Sequence, residues 1–279
     1  MLDLSIVIVN YNNRGLLRQC LKSVFINLKD SNCTYKIVMV DNNSSDGSVP
    51  LVRDEYPSVR LIPLENNLGY AKGVNIGIKS LESKYYLVLN MDTTIVQEHA
   101  IEDMIKFMDD KNNSNVGLAG PKLINPNGTT QVSCCIFPKF MYPIYRRTFL
   151  RKMPFPKKAI HKYLMFDWDH NDSREVDWVI GTGMIVRNNA IKQVGLMDER
   201  FFMYFEDVDW CRRFWENDWK VKYMHNIQIV HYHSRGSATK RGLPSIFMNK
   251  LTRVHISSWI KYFMKYLGKE KPNVKQKNK

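Results

Sequence analysis

Four short, almost wholly apolar runs, at residues 4–10, 35–40, 59–64 and 85–89, each break off abruptly into a polar loop. Continuous apolar runs of that length read as strands buried on both faces, the pattern of a parallel sheet covered by helices. Helical spacing appears between and after them. Leu17, Cys20, Leu21, Val24 and Phe25 mark one helix over 15–27, and further helices are expected over about 71–80 and 98–110. Strands alternating with helices imply right-handed crossovers and an α/β fold whose mostly parallel, Rossmann-like central sheet is flanked by helices. All four strand ends then meet at one edge, where open α/β sheets bind ligands.

The residues delivered to that edge suit a nucleotide. The first strand ends in Asn10, Tyr11 and Asn12, and the second in Asp41, Asn42 and Asn43. Asp41 can accept from a pyrimidine ring N–H or a ribose hydroxyl. The third strand leads into Asn67, Lys72 and Asn75 at a glycine-containing helix start, whose amide groups and lysine suit phosphates. The fourth ends in Asn90, Met91 and Asp92. Through a hard cation Asp92 could hold a diphosphate, since such ions take carboxylate and phosphate oxygens together; the alternative is that it caps the following helix. Neither a phosphate loop ending in Gly-Lys-Ser/Thr nor the dinucleotide glycine fingerprint is present, which argues against an NTPase or a dehydrogenase.

Charge is unevenly placed. The formal net charge is +14, yet residues 235–279 hold twelve Lys/Arg against one acid, Glu270, and residues 139–162 hold eight against none. Such local basicity suits an anionic membrane surface or an anionic substrate, and nucleic acid would also accept it. With 279 residues, 44% of them hydrophobic, the chain can bury one large or two small cores. No run of about 18 apolar residues occurs, and the first apolar run has no basic stretch before it, so the expected location is cytoplasmic. The five cysteines lack metal-ligand spacing and indicate neither a disulfide framework nor a zinc site.

SIVIVNYNN, IVMVDNNSSDGS, NNLGYAKGVNIGI, YLVLNMDTTI, VDWVIGTGMIVR, FFMYFEDVDWCRR and the stretch around VHYHSRGSATK follow one another in a telling order. Over about residues 4–240 the chain resembles the family 2 inverting glycosyltransferases, particularly the rhamnosyltransferase-like bacterial members. The resemblance implies a GT-A fold, a nucleotide-diphosphate sugar donor (dTDP- or UDP-linked) and a divalent metal, Mg or Mn, at the Asp-x-Asp position. It also implies net inversion at the sugar and a hydroxyl acceptor on a glycan or a lipid-linked intermediate. This chain departs from the motif in carrying a single carboxylate, Asn90-Met91-Asp92.

The second half carries the acceptor side. Residues 1–124 read as the nucleotide-sugar half, 125–240 as the acceptor and catalytic half, and 241–279 as a basic amphipathic helix with a lysine-rich tail. Residues 125–166 show no clean periodicity and read as an excursion between the halves, partly helical or mobile. Trp178, Gly181, Thr182 and Gly183 are the acceptor-site candidates, against a simpler reading in which Trp178 fills core beside a glycine turn. Glu206 and Asp207 open a helix behind an aromatic entry of Phe201, Phe202, Tyr204 and Phe205. The resemblance assigns the general base to Asp207, the second acid of the pair, and leaves Glu206 a positioning role. Aromatic walls raise a carboxylate pKa and helix-start amides lower it, so the direction of its shift is open at this stage. His231 and His233 alternate to one side of a strand, and the resemblance favours His231 as a partner of Asp92 at the metal. Residues 235–241 suit a loop closing over the diphosphate. Residues 246–267 read as a helix with an apolar face, and with the basic tail they suggest peripheral attachment to the inner face of the cell membrane. A basic, non-catalytic nucleic-acid-binding module is the alternative, and it leaves the strand-end carboxylates unexplained.

Overall fold

The computed structural model describes residues 1–232, 249–272 and 274. Strands β1 (Leu2–Asn10), β2 (Tyr35–Asp41), β3 (Arg60–Pro63) and β4 (Ser83–Asn90) pair in parallel in the order β3-β2-β1-β4. Each coincides with one of the four apolar runs. Side chains alternate along β1, so Leu4, Ile6 and Ile8 enter one core while Val7 and Val9 enter the other. Helices α1 (Arg14–Asn27), α2 (Ser48–Glu55) and α4 (Ala100–Asp109) cover the first face. Helices α3 (Tyr70–Lys79), α7 (Asn188–Val194), α8 (Glu206–Glu216) and α9 (Lys250–Lys265) cover the second.

Beyond β4 the sheet changes direction. β10 (Gly183–Arg187) runs antiparallel to both β4 and β6 (Val116–Ile124), and β11 (Lys220–His231) runs parallel to β6. Because β10 is reversed, its first residues lie at the edge where β1, β2 and β4 end. Two further short pieces, β5 (Thr93–Thr94) and β8 (Arg174–Glu175), pair antiparallel with β11. The first of these folds the chain after Asp92 back against His231. A separate ribbon joins β7 (Cys134–Cys135) to β9 (Trp178–Val179).

Residues 139–162 are helical, with α5 (Tyr142–Arg147) and α6 (Pro154–Tyr163) anchored through the buried rings of Tyr142 and Tyr163. The C-terminal helix differs from the amphipathic appendage expected of residues 241–279. Tyr262 and Tyr266 lie in the core, and Lys265 Nζ donates to Asp209 Oδ1 (2.5 Å) and Asp198 Oδ2 (2.8 Å). Asp209 is fully buried, so its charge requires these partners, and α9 is thereby built into the domain. The boundary expected at residue 240 therefore does not separate two packing units. His233, the loop 235–241 and tail residues 273 and 275–279 lie outside the described residues. Among the described residues no helix is long and apolar enough to cross a membrane.

Candidate active site

At the end of β4, Asn90 N–H donates to Thr182 O (3.0 Å), tying the strand to the loop that precedes β10. Asp92 follows after the half-buried Met91, and its carbonyl accepts from Tyr232 N–H (2.8 Å). That bond sets Asp92 Oδ1 3.5 Å from His231 Nε2. Gln131 orients the imidazole. Its amide nitrogen donates to His231 O and to Asn125 Oδ1, which leaves Gln131 Oε1 to accept from His231 Nδ1 at 3.0 Å. This network assigns the proton to Nδ1 and turns Nε2 toward Asp92, the arrangement in which imidazoles ligate metals.

The donor set fits a divalent cation. Asp92 Oδ1 is buried without a hydrogen-bond partner, as is Asn90 Oδ1 beside it. Buried acceptors in that state call for an explanation, and a hard cation bridging Asp92, His231 and phosphate oxygens would provide one. No group of three His, Cys, Asp or Glu residues converges among the described residues, and Asp92 and His231 are the pair that would hold the ion there.

The acid pair is built differently. Tyr204 (φ 71°) and Phe205 (φ 68°) both lie in the left-handed region immediately before α8. Each such residue costs about 1–2 kcal/mol, and the surroundings must hold them there. Phe205 packs against Tyr262 of α9 with ring centroids 5.4 Å apart, and His255 contacts both aromatics. Packing by α9 thus maintains the strained entry. The reward is a helix whose first two residues, Glu206 and Asp207, turn inward. Asp207 Oδ2 accepts from Gly181 N–H (3.0 Å) and Oδ1 from Val208 N–H (2.8 Å). Burial nevertheless outweighs those bonds and pushes the Asp207 carboxyl up to about 6. Glu206 is only 5% exposed and lies well above its ordinary range, through burial first and the neighbouring Asp207 charge second. The question left open by the sequence is answered in favour of desolvation.

Gly181 admits Asp207 to this position. A Cβ there would lie 3.3 Å from Asp207 Cβ and 3.4 Å from Oδ2, tighter than ordinary contact. On its other side Gly181 O accepts from the Tyr70 hydroxyl (2.8 Å). The Tyr70 phenol is raised well above its usual value by burial, then by the charges of Glu206, Asp207 and Asp92. The Tyr70 hydroxyl and Asp207 thus bond to the carbonyl and the N–H of the same residue, Gly181. Thr182, almost fully buried, closes the loop by donating its N–H to Ile180 O (2.7 Å), and Gly183 opens β10. Trp178 takes its simpler role, since its ring is buried in the core and its Nε1 donates to Ile136 O.

On the donor side, Asn10 Nδ2 donates to Asp41 Oδ2 (2.9 Å) and Ser44 Oγ (3.1 Å), while Ser44 N–H donates to Asp41 Oδ1 (2.7 Å). Asp41 is 1% exposed, but two accepted bonds leave part of a carboxylate's acceptor capacity unused. Asn12 Oδ1 accepts from Ser45 N–H, and Tyr11 and Asn43 stand exposed beside this loop. Asn67 Oδ1 accepts from Gly69 N–H. Gly69 (φ 88°) is needed there because a Cβ would collide with the Phe202 carbonyl. The start of α3 is accordingly docked on that loop, with Tyr70 N–H donating to Phe202 O (2.7 Å).

Two donor-side expectations change as a result. Asn75 is 2% exposed and its amide bridges Met197 and Glu199, so it ties α3 to the loop before α8 instead of facing the crevice. Lys72 lies 4.0 Å from Glu199 on the same side. The glycine-rich helix start, read as a phosphate cradle, is largely a packing joint. Tyr70 and Gln131 were missed; an aromatic in a first helical turn pointing to the carboxylate edge was the available signal for the former. Two surface hollows of about 420 and 560 Å³ lie elsewhere and contain none of these groups.

The profile of glycosyl transferase family 2 matches residues 5–163. The chain belongs to that family. Among its family 2 relatives is the N-acetylglucosaminyl-diphospho-decaprenol L-rhamnosyltransferase of Mycobacterium tuberculosis, 27% identical over 227 residues that cover 72% of this chain and 68% of that protein. The dTDP-rhamnosyl transferase RfbF of Shigella flexneri is 28% identical over 81% of this chain and 67% of its own. The rhamnosyltransferase WbbL of Escherichia coli is 21% identical over 92% of this chain and 91% of its own. This is the rhamnosyltransferase-like branch of family 2. Solved structures share the GT-A fold. S. aureus TarS, residues 1–349, superposes with TM-score 0.57 at 15% identity, over 82% of this chain and 60% of that chain. GalNAc-T7 with UDP, GalNAc and Mn2+ superposes with TM-score 0.61 at 15% identity, over 84% of this chain and 44% of that chain. The nucleic-acid-binding alternative has no support beside this family 2 glycosyltransferase assignment.

Proposed function

We propose that this enzyme transfers a deoxyhexose such as rhamnose, with inversion, from a dTDP- or UDP-linked donor to a hydroxyl of a cell-surface glycan or lipid-linked acceptor. The observation that carries the reading is the Asp207 carboxylate, desolvated and held by the N–H of Gly181, whose carbonyl accepts from the Tyr70 hydroxyl, with Asp92 set 3.5 Å from His231 at the end of β4. The names of the relatives support the sugar and donor class.

In this mechanism Asp207 takes the proton of the acceptor hydroxyl as its oxygen attacks the anomeric carbon. The bond from that carbon to the phosphate oxygen breaks, and the electron pair leaves with the nucleoside diphosphate. A base whose pKa is raised toward neutrality is both ionised at pH 7 and strong enough to accept the proton. Burial and the neighbouring Asp207 charge raise the Glu206 carboxyl well above its ordinary range, which favours its neutral form beside the Asp207 carboxylate. Asp41, Asn10, Tyr11, Asn12, Asn43 and Asn67 are assigned to the nucleoside side. Asp92 and His231, with Asn90 and Met91 shaping the strand end, would hold Mg2+ or Mn2+, which when bound neutralises charge on the leaving diphosphate. The place of reaction is assigned to the inner face of the cell membrane, where a lipid-linked acceptor would be met.

Thermal shift with dTDP-rhamnose, dTDP-glucose and UDP-sugars, each with and without Mg2+ or Mn2+, tests the donor side. A ligand at about 100 times its Kd stabilises by about 2.7 kcal/mol, well within reach of the method. The expected result is a rise in Tm that requires both nucleotide and cation. Identical melting in every condition would remove the donor assignment.

A further inference from the structure

We infer that segment 139–162, continued by the exposed end of α9, is a docking surface for an anionic phospholipid bilayer. The inference takes from the proposed function only the reason a lipid surface would matter, since binding to a bilayer requires no sugar transfer.

Phe137, Phe201 and Phe214 are buried, whereas Phe149 and Phe155 are 77% and 73% exposed. Met153 stands half-exposed between them. Around these side chains lie Arg146, Arg151, Lys152, Lys157 and Lys158, all exposed, and residues 139–162 contain no acid at all. Single bulky apolar groups projecting among flexible cations match the needs of a bilayer interface, where the rings enter the acyl boundary and the cations meet anionic headgroups. The charge argues for an anionic partner, and the isolated apolar tips argue for one that yields around them.

The ledge is continuous with α9. Phe140 packs against Trp259 and Phe263 with ring centroids 4.5 and 5.3 Å apart, and beyond them Met264 and Leu267 are 71% and 84% exposed. Three cations in α9 and just after it are, in contrast, tied back to the protein. Lys261 donates to Arg200 O, Lys265 is paired with Asp198 and Asp209, and Lys271 donates to Phe137 O and Pro138 O. Among the described residues segment 139–162 therefore supplies a dense group of exposed cations, and the end of α9 adds the exposed apolar side chains Met264 and Leu267.

This ledge backs directly onto the acceptor loop. Tyr163 at the end of α6 contacts Tyr142 and Trp178, and Ile136 N–H donates to Tyr163 O. From β9 the chain passes through Ile180 into Gly181, beside Asp207. Docking through the ledge would hold that loop near lipid-borne hydroxyls.

The test is sedimentation of the full chain with phosphatidylcholine vesicles, with and without about 30% phosphatidylglycerol, at low and high salt. Binding is expected only with the anionic vesicles, and it should fall as salt rises. Phe149→Ser/Phe155→Ser and, separately, Lys157→Glu/Lys158→Glu should each reduce partitioning by about tenfold or more while leaving the Tm unchanged. Equal binding by the variants and the parent, or no binding by the parent, would overturn the inference. So would a concentration-dependent dimer, abolished by the phenylalanine substitutions, in a parent that ignores vesicles, because a second copy would then be the occupant. Vesicle binding without transfer activity would instead count against the proposed function alone.

Discussion

Asp41 and Asp207 are both carboxylates of one crevice, the first buried and the second half-buried, yet their surroundings differ in kind. Asp41 sits in a polar loop where Asn10 and Ser44 each give it a hydrogen bond, and it belongs to the half of the sheet in which all strands are parallel. Asp207 sits behind aromatic walls at a strained helix entry, in the half where β10 reverses direction, and burial there raises its pKa to about 6 despite two backbone donors. A carboxylate that binds is served by side-chain and backbone donors; one that accepts a proton is served by surroundings that raise its pKa. On the proposed function the first serves recognition and the second proton transfer.

Asp207→Asn should break the acceptor side alone. Removing the proton acceptor while keeping its shape is expected to lower turnover by about 10²–10⁴-fold, with nucleotide binding nearly unchanged. The same variant should be more stable at neutral pH. The folded pKa lies above the ordinary 3.8, so Asp207 contributes stability that is fully present below about pH 4 and lost as pH rises through about 6. Asparagine removes that loss, worth up to about 3 kcal/mol for a shift of about two units, and the gain is offset in part because its amide nitrogen cannot accept one of the two backbone N–H bonds. Near-parental turnover would move the base to another group, with Glu206 next in line.

On the donor side, Asp92→Ala should abolish the metal-dependent part of nucleotide-diphosphate binding, weakening it by at least about tenfold when Mn2+ is present. Metal dependence equal to the parent's would refute that assignment. Gly181→Ala sharpens the comparison from the other direction. The added methyl displaces Asp207 by a few tenths of an ångström, and about a tenfold loss in kcat with an unchanged donor KM is expected. A raised donor KM with normal kcat would place Gly181 on the donor side. Smallest of all, Asp41→Ala should weaken the nucleoside several-fold with or without cation, provided roughly one hydrogen bond is at stake.

The same contrast explains what could be read from the chain. Strands β1, β2 and β4 were legible because burial on both faces leaves an uninterrupted apolar run, the edge strand β3 because its short run is bounded by turn residues, and Asp41 and Asp92 because they stand at or just past the end of such a run. β6 was not, since Gly117, Gly120 and Pro121 interrupt it; Pro121 is accommodated beside a register shift against β11. The two-residue strands β5 and β8 leave no periodicity, yet β5 is what brings Asp92 to His231. Residues 139–162 hid their helices because their apolar side chains point outward as well as inward. Asn75 was misplaced because a glycine-rich helix start looks the same whether it approaches phosphate or, as here, another loop. Asp207 itself was located by resemblance, while the sign of its pKa shift needed the structure.

The dependence of kcat/KM on pH tests the central claim most directly, because it reports the ionisation of the essential base in the free enzyme. If Asp207 is that base, activity should be level above about pH 6 and fall about tenfold per unit below it. The fall must also be absent from the residual rate of Asp207→Asn. A profile that stays level down to about pH 4.5, or an acid limb near pH 6 that survives the substitution, would contradict the account.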